Sequence, residues 1–409
     1  MKNYSRSIIK LLFFNLLLIT CTHHEPNRNL SNMDKQSTTK DHLLFDLRRI
    51  PELSTVKLSE VGAIEIRYIP LITTPKNVIP RINNIIVCNS YFLTYGNNSV
   101  NMFRYDGSFI TEVGTKGRGP NEYLSISDID INPENESIYI ASVEKFLVYN
   151  KNGRFLRTFE NPQKRERMSF KFTEDGILCY YFNDFGNIEN SYILIDTMGQ
   201  AIKYYPNRYP WKRKVPGVFY QGENIFYKFN NHLFKKEIYC DTIFSFTNTE
   251  FKPHMVINAG KQRLTPDLRS DFQTRPDLSE TTYQNYITPY NLFEFGDHIY
   301  YEMVMTLNGS RNLYSFIGSK KDSLRAMYIT EQGLTEDLVG GAHFWPRTII
   351  NDSALLGWIE PIKLKTYIAT KEFRESEPLY PEKKRELENL ANSLKETDNP
   401  VLVLVSLKN

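Results

Sequence analysis

Cysteine, histidine and tryptophan are scarce in this chain: four, seven and three among 409 residues. Each shortage closes off a kind of chemistry. The four cysteines, Cys21, Cys88, Cys179 and Cys240, include no Cys-x-x-Cys pair, so neither a zinc ribbon nor a redox dithiol is expected. Cys88 and Cys179 stand in apolar strand-like runs, where a free thiol packs as a small hydrophobe. The histidines are scattered, with no His-Glu-x-x-His, and no Gly-x-Ser-x-Gly elbow exists. Charge of one sign is also missing: a net charge of +3 is too small for a nucleic-acid groove, and no nucleic-acid partner is expected. What is abundant is Tyr and Phe, 26 of each, which favour pleated strands over helices.

No apolar run is long enough to span a bilayer as a helix. The longest begins at Leu11, extends for about ten residues and ends at Cys21, well short of the roughly 20 needed. Lys2, Arg6 and Lys10 precede it, which makes residues 1–20 a targeting segment rather than part of the fold. The run Leu18-Ile-Thr-Cys21 resembles a bacterial lipobox. The resemblance implies cleavage before Cys21 and lipidation of that cysteine, and hence a cell-envelope lipoprotein of the outer membrane, periplasmic or surface-facing. Thr20 departs from the small residue usual before the cysteine. Residues 21–56 are polar and aperiodic, and are expected to form a flexible tether.

Beyond the tether a strand–turn–strand unit recurs. Phe103-Arg-Tyr-Asp-Gly-Ser-Phe-Ile-Thr, Val148-Tyr-Asn-Lys-Asn-Gly-Arg-Phe-Leu-Arg and Leu194-Ile-Asp-Thr-Met-Gly-Gln-Ala-Ile-Lys follow one plan, with turn glycines at Gly107, Gly153 and Gly199, two steps of 46 residues. A strand-built repeat of about 40–50 residues is the sequence mark of a β-propeller, one blade per repeat. Residues 57–409 are therefore expected to be a propeller of four-stranded antiparallel blades, and the length allows six or seven. Residues 261–290 read as a small helical insertion. Residues 380–395 read as one surface helix, with Leu387, Leu390 and Leu394 at helical spacing behind Pro381. The apolar run at 400–408 would aggregate if left on an edge. It is expected to complete one blade with the strand near 64–71 and close the ring.

From Tyr105 the chain reads Tyr-Asp-Gly-Ser-Phe-Ile-Thr-Glu-Val-Gly-Thr-Lys-Gly-Arg-Gly-Pro-Asn-Glu-Tyr. This resembles the signature loop of the six-bladed β-propeller lipoproteins of Gram-negative bacteria, relatives of the NHL-repeat propellers. The stretch Leu58–Leu71 and the closing Asn399-Pro-Val-Leu-Val-Leu are similar to that family's ends. The resemblance selects six blades over seven and implies an envelope address, not an activity.

Several constellations are candidates for ligand binding. Gly114-x-x-Gly-x-Gly119 lacks the following helix and the Gly-Lys-Ser/Thr of a phosphate loop, so it reads as an inter-blade turn carrying Arg118. Asp128-x-Asp130-x-Asn132 opens like an EF-hand, but Pro133 and Tyr139 occupy the positions for Gly and Glu. Asp128 and Asp130 are instead expected on one strand face, near the central channel or simply solvated. The loop holding Trp211, Lys212 and Arg213 combines an aromatic surface with cations that suit carboxylated sugars or acidic proteins. His343 and Arg347, around Trp345, form a second such cluster. The favoured expectation is a membrane-anchored, non-enzymatic binding or scaffold module for a glycan, peptide or envelope protein, with no cofactor. The alternative is a lyase or hydrolase acting on an extracellular polymer, with a divalent metal in the channel.

Overall fold

The computed structural model describes residues 43–88, 90–96, 99–212, 219–272 and 284–408. The targeting segment, Cys21 and the first part of the tether lie outside them, as does Arg213. The described strands fall into six sheets, five of four strands and one of five. Along the chain the first sheet runs from Asn84 to Glu112, the second from Asp128 to Glu160 and the third from Met168 to Pro206. The fourth spans Asn224–Asn258 and the fifth Thr288–Ile329. Within each, consecutive strands pair antiparallel as a meander. The chain is thus mostly β and propeller-like.

The repeated turn has one cause in all three places. Gly107, Gly153 and Gly199 sit at φ values of 84°, 77° and 89°, where a residue with a Cβ is disfavoured. Each glycine N–H closes the turn onto the carbonyl three residues earlier, at Arg104, Asn150 and Asp196. The side chains of Asp106, Asn150 and Asp196 accept the next free N–H groups. An Asx residue followed by a left-handed glycine specifies this hairpin locally.

The sixth sheet joins an early strand to the last one. Ala63–Pro70 pairs antiparallel with Val401–Leu407, which pairs in turn with Ala354–Ile359, and Thr348–Ile350 completes the sheet. Val401–Leu407 is therefore an interior strand, and its apolar composition is buried rather than left on an edge. The helix Pro381–Ser393 starts behind Pro381 and buries Leu387 and Ala391.

Two expectations are corrected. Residues 43–56, read as tether, are part of the folded body: Leu43–Asp46 adds a parallel strand to Glu250–Asn258, and Phe45, Leu47 and Val56 are buried. Phe45 packs edge-on to Phe316, with Arg325 over its face. Gly318 makes room for it, because a Cβ there would lie 2.4 Å from the Phe45 ring. The run Leu43-Leu-Phe-Asp-Leu47 is too short, set between polar stretches, to show a period in the sequence. The expected insertion is also not peripheral. Its helix Pro266–Phe272 places Arg269 at 0% exposure, and the first strand of the fifth sheet already begins at Thr288.

Candidate binding cavity

A cavity of about 580 Å³ is lined by residues from one edge strand of each of the first five sheets, and by Thr348–Ile350 of the sixth. These edge strands carry polar residues because their inward side chains meet the cavity or the neighbouring sheet, not a single apolar core. Asp128 and Asp130 show the pattern. Both are buried, and both reach across to the third sheet: Asp128 Oδ2 accepts from Phe170 N at 3.0 Å, and Asp130 Oδ2 from Phe172 N at 2.9 Å. Asp128 also pairs with Lys171 Nζ at 3.2 Å. Burial pushes the Asp128 carboxyl above its usual range, against the pull of Lys171 and two backbone donors. The two aspartates are therefore not a solvated face. They lace adjacent edge strands together, and only Asp130 and Lys171 of this group line the cavity.

Arg347 also belongs to the wall. Its guanidinium carbon sits 3.2 Å from the centre of the Trp345 ring and 5.1 Å from that of Trp358. Its backbone is fixed by Arg347 N donating to Leu356 O at 2.8 Å and by Asn291 Nδ2 donating to its carbonyl at 2.9 Å. Close by is Glu302, at 0% exposure, also on the cavity lining. Glu302 Oε1 accepts from Tyr300 OH at 2.6 Å and from Trp345 Nε1, while Oε2 is buried without a partner. Burial pushes the Glu302 carboxyl upward, and the two donors and Arg347 only partly offset this. Burial likewise lowers the Arg347 guanidinium.

The other expected site residues lie elsewhere. Trp211 is 5% exposed: its Nε1 donates to Asn183 O at 2.8 Å, and the Arg269 guanidinium stacks 4.5 Å from its ring centre. It is an interior residue, and the expectation of an exposed aromatic platform there is wrong. Tyr–Pro–Trp between cations reads as surface in sequence, whereas the partner that buries it comes from far along the chain. Lys212 is exposed, with its backbone N–H on Ser270 Oγ at 3.1 Å, and it does not line the cavity. Arg118 is exposed in the glycine turn, away from the cavity. That turn is a packing device: Glu122 Oε2 accepts from Gly119 N at 2.7 Å, Lys145 Nζ donates to Gly119 O and Pro120 O, and a Cβ on Gly117 would meet Glu122 at 2.0 Å. His343 is exposed, 3.3 Å from Glu372 and outside the cavity lining. Of the cluster around Trp345 only Arg347 faces the cavity.

Sequence reading missed Glu302 and two other buried charge groups. Arg269 and Glu223 pair at 2.8 Å with 0% and 1% of their side chains exposed. Glu294 takes hydrogen bonds from Tyr227 OH, His254 Nε2 and Lys320 Nζ at 2.8–2.9 Å. Burial raises the Glu294 carboxyl, but His254 and Lys320 outweigh it and the net shift is downward. Single acidic residues in aromatic strands were the available signal. Cys88 stands at the cavity wall, its thiol pushed by burial up to about 12, which makes it unreactive as a nucleophile. Among the described residues no group of three or more His, Cys, Asp or Glu is placed to hold a metal ion. Among the same residues no helix is long and apolar enough to cross a membrane.

The sheets and cavity together define a propeller-like, mostly β protein with a polar pocket lined by an edge strand of each of its six described sheets. Residues 45–406 match the domain of unknown function DUF4934, and the chain belongs to that family. No functionally curated protein matches it. Among solved structures it is similar to a Bacteroides fragilis protein proposed to be exported, at 18% identity and a TM-score of 0.66, covering 90% of this chain and 99% of that one. It is more distantly similar to the Neurospora crassa Pan2 WD40 domain, at 11% identity and a TM-score of 0.35, over 63% of this chain and 68% of that one. The WD40 domain of fission-yeast SCAP matches at 11% identity and a TM-score of 0.33, over 75% and 60%. The first of these shares the fold; none carries a site to this chain.

Proposed function

We propose that this protein is an exported, lipid-anchored binding module, a six-bladed β-propeller whose ligand enters the central cavity. One observation carries the reading: all six sheets contribute an edge strand to a single polar cavity of about 580 Å³. Pockets of this size suit a small organic ligand or the end of a larger one. The pairing of the early strand Ala63–Pro70 with the last strand, Val401–Leu407, in one sheet supports ring closure, as propellers close to protect their edges. The basic, then apolar, segment ending at Cys21 and the similar fold of the Bacteroides fragilis protein that is proposed to be exported support an envelope location. Function here is recognition, and the ligand is a glycan, a peptide or part of an envelope protein.

The test is to block the cavity without disturbing the core. Lys228 is exposed and lines the cavity from the strand Asn224–Phe229, so Lys228→Trp adds bulk there in a residue that strands accept. Purified full-length protein is screened on glycan and envelope-peptide arrays. Binding by the wild type that is lost in Lys228→Trp at an unchanged melting midpoint supports the cavity; binding that persists places recognition on another surface. For the anchor, Cys21→Ser should leave the membrane fraction and lose fatty-acid labelling, and retained labelling refutes lipidation.

A further inference from the structure

We infer that Arg347 makes the cavity a receptor for a carboxylate, and that the ligand is an acidic saccharide such as a uronate-containing oligomer. The inference rests on the cavity reading and gives it a ligand class. Arg347 is a half-buried cation in the wall whose charge is only partly offset by Glu302. It forms no ion pair or side-chain hydrogen bond among the described residues, and its Nε is buried without a partner. Glu302 attracts it without forming an ion pair: Trp345 Nε1 and Tyr300 OH occupy one carboxylate oxygen, and the other is buried without a hydrogen bond. The cavity's remaining cations differ in kind. Lys171 is matched by Asp128 at 3.2 Å, and Lys228 is an exposed, strongly hydrated ammonium.

Stacking on Trp345, with Trp358 close by, holds the guanidinium plane before any ligand arrives. A planar, immobilised guanidinium matches a carboxylate through two parallel N–H···O bonds and loses little entropy in doing so. The polarity of the sixth sheet's edge strand orients the ligand. Arg347 precedes Thr348–Ile350, whereas Asp352 follows it and lines the same cavity, so a carboxylate is favoured at the Arg347 end.

The rest of the reachable wall favours a sugar. Asn83, Asn84, Asn231, Asn351 and Gln221 line it and are at least partly exposed. Side-chain amides offer donor and acceptor together, as hydroxyl groups require. Ile86, Phe226, Ile349 and Trp358 share the wall and are also partly exposed, so a peptide, which needs apolar pockets for alternate side chains, is the competing outcome of the test.

The experiment is calorimetric titration of the full chain with a galacturonate trimer, a galactose trimer of the same linkage and a short peptide ending in a free carboxylate. The uronate should bind about tenfold or more tightly than the neutral sugar, since charge-assisted hydrogen bonds are the strong ones. Arg347→Gln should remove that preference, Arg347→Lys should recover only part of it, and Arg118→Gln, outside the cavity, should leave it intact. If Arg347→Gln fails to fold, the wild-type preference and the Arg347→Lys deficit still decide the matter. Equal affinity for the two sugars, both lost in Lys228→Trp, overturns the carboxylate and leaves the cavity standing. Uronate binding indifferent to both Arg347→Gln and Lys228→Trp overturns both. No uronate binding, or binding of the peptide alone, overturns the acidic saccharide.

Discussion

Removing Val401–Asn409 deletes the strand that ties Ala354–Ile359 to Ala63–Pro70, and the size of the effect follows from burial. Val401, Leu402 and Val405 are fully buried at 0% exposure, and Val403 and Leu407 are at 5% and 6%. At roughly 1.5–3 kcal/mol for each buried aliphatic side chain, the five together contribute on the order of 10 kcal/mol. That is comparable with the whole stability of a typical domain, about 5–15 kcal/mol. The strand is also hydrogen-bonded on both sides, to Ala63–Pro70 and to Ala354–Ile359, so its loss exposes two edges rather than one. The truncated protein should therefore be insoluble or lack a cooperative transition in urea. A milder variant, Leu402→Ala, should lower stability by about 2–5 kcal/mol with an unchanged denaturant slope. A soluble truncation melting at the wild-type midpoint would refute the argument, because it would mean that the ends are joined by contacts other than this strand.

Trp211→Ala should cost about 3–5 kcal/mol, the usual range for a buried tryptophan, and Trp211→Phe about 1 kcal/mol for the lost bond to Asn183; an unchanged urea midpoint in both would return Trp211 to the surface. Glu302 supplies a pH test. Its carboxyl is raised by burial from an ordinary 4.5, so its contribution to stability is complete below that value and is lost as pH rises through the raised one. Glu302→Gln keeps an acceptor for Trp345 and Tyr300 without a buried charge: it should flatten the pH dependence of the melting midpoint above 4.5 and be at least as stable near neutrality. Glu302→Leu should lose about 1–3 kcal/mol by orphaning the donors, and equal losses in the two variants would show that the acceptor is not the reason for the residue.

The architecture was legible because its signals are local. A turn that needs a left-handed glycine after an Asx residue writes itself into the sequence at Gly107, Gly153 and Gly199. An apolar strand such as Val401–Leu407 announces that it needs a neighbour on each side. The helix Pro381–Ser393 was legible for the same reason, through a proline start and leucines at helical spacing. The parallel strand Leu43–Asp46 was not, because a four-residue strand in polar surroundings has too few positions to show a period. Its stability comes from Phe316, Gly318 and Arg325, more than 250 residues further along.

The site was legible only in part, and the failures share a physical cause. In a sheet whose edge strand faces a cavity or another sheet, polar side chains point inward, and alternation no longer separates buried from exposed. Asp128 and Asp130 alternate with Ile129 and Ile131 as a solvated strand would, yet all but Ile131 are buried, because the carboxylates satisfy the N–H groups of Phe170 and Phe172 in the next sheet. The reverse error occurred at Trp211, where flanking cations suggested surface and a buried Arg269 supplied the stacking partner. Arg347 lies between these cases. Its aromatic neighbours Trp345 and Trp358 could be read as core or as a binding platform, and they act as both: they hold the guanidinium plane rigid while leaving its charge to the cavity. A cation in a protein wall normally persists because a partner neutralises it, and here the carboxylate that attracts Arg347 most, Glu302, is already engaged by Tyr300 and Trp345. Glu302 offsets the Arg347 charge only in part, and a ligand that brings its own carboxylate is the one this wall is built to hold.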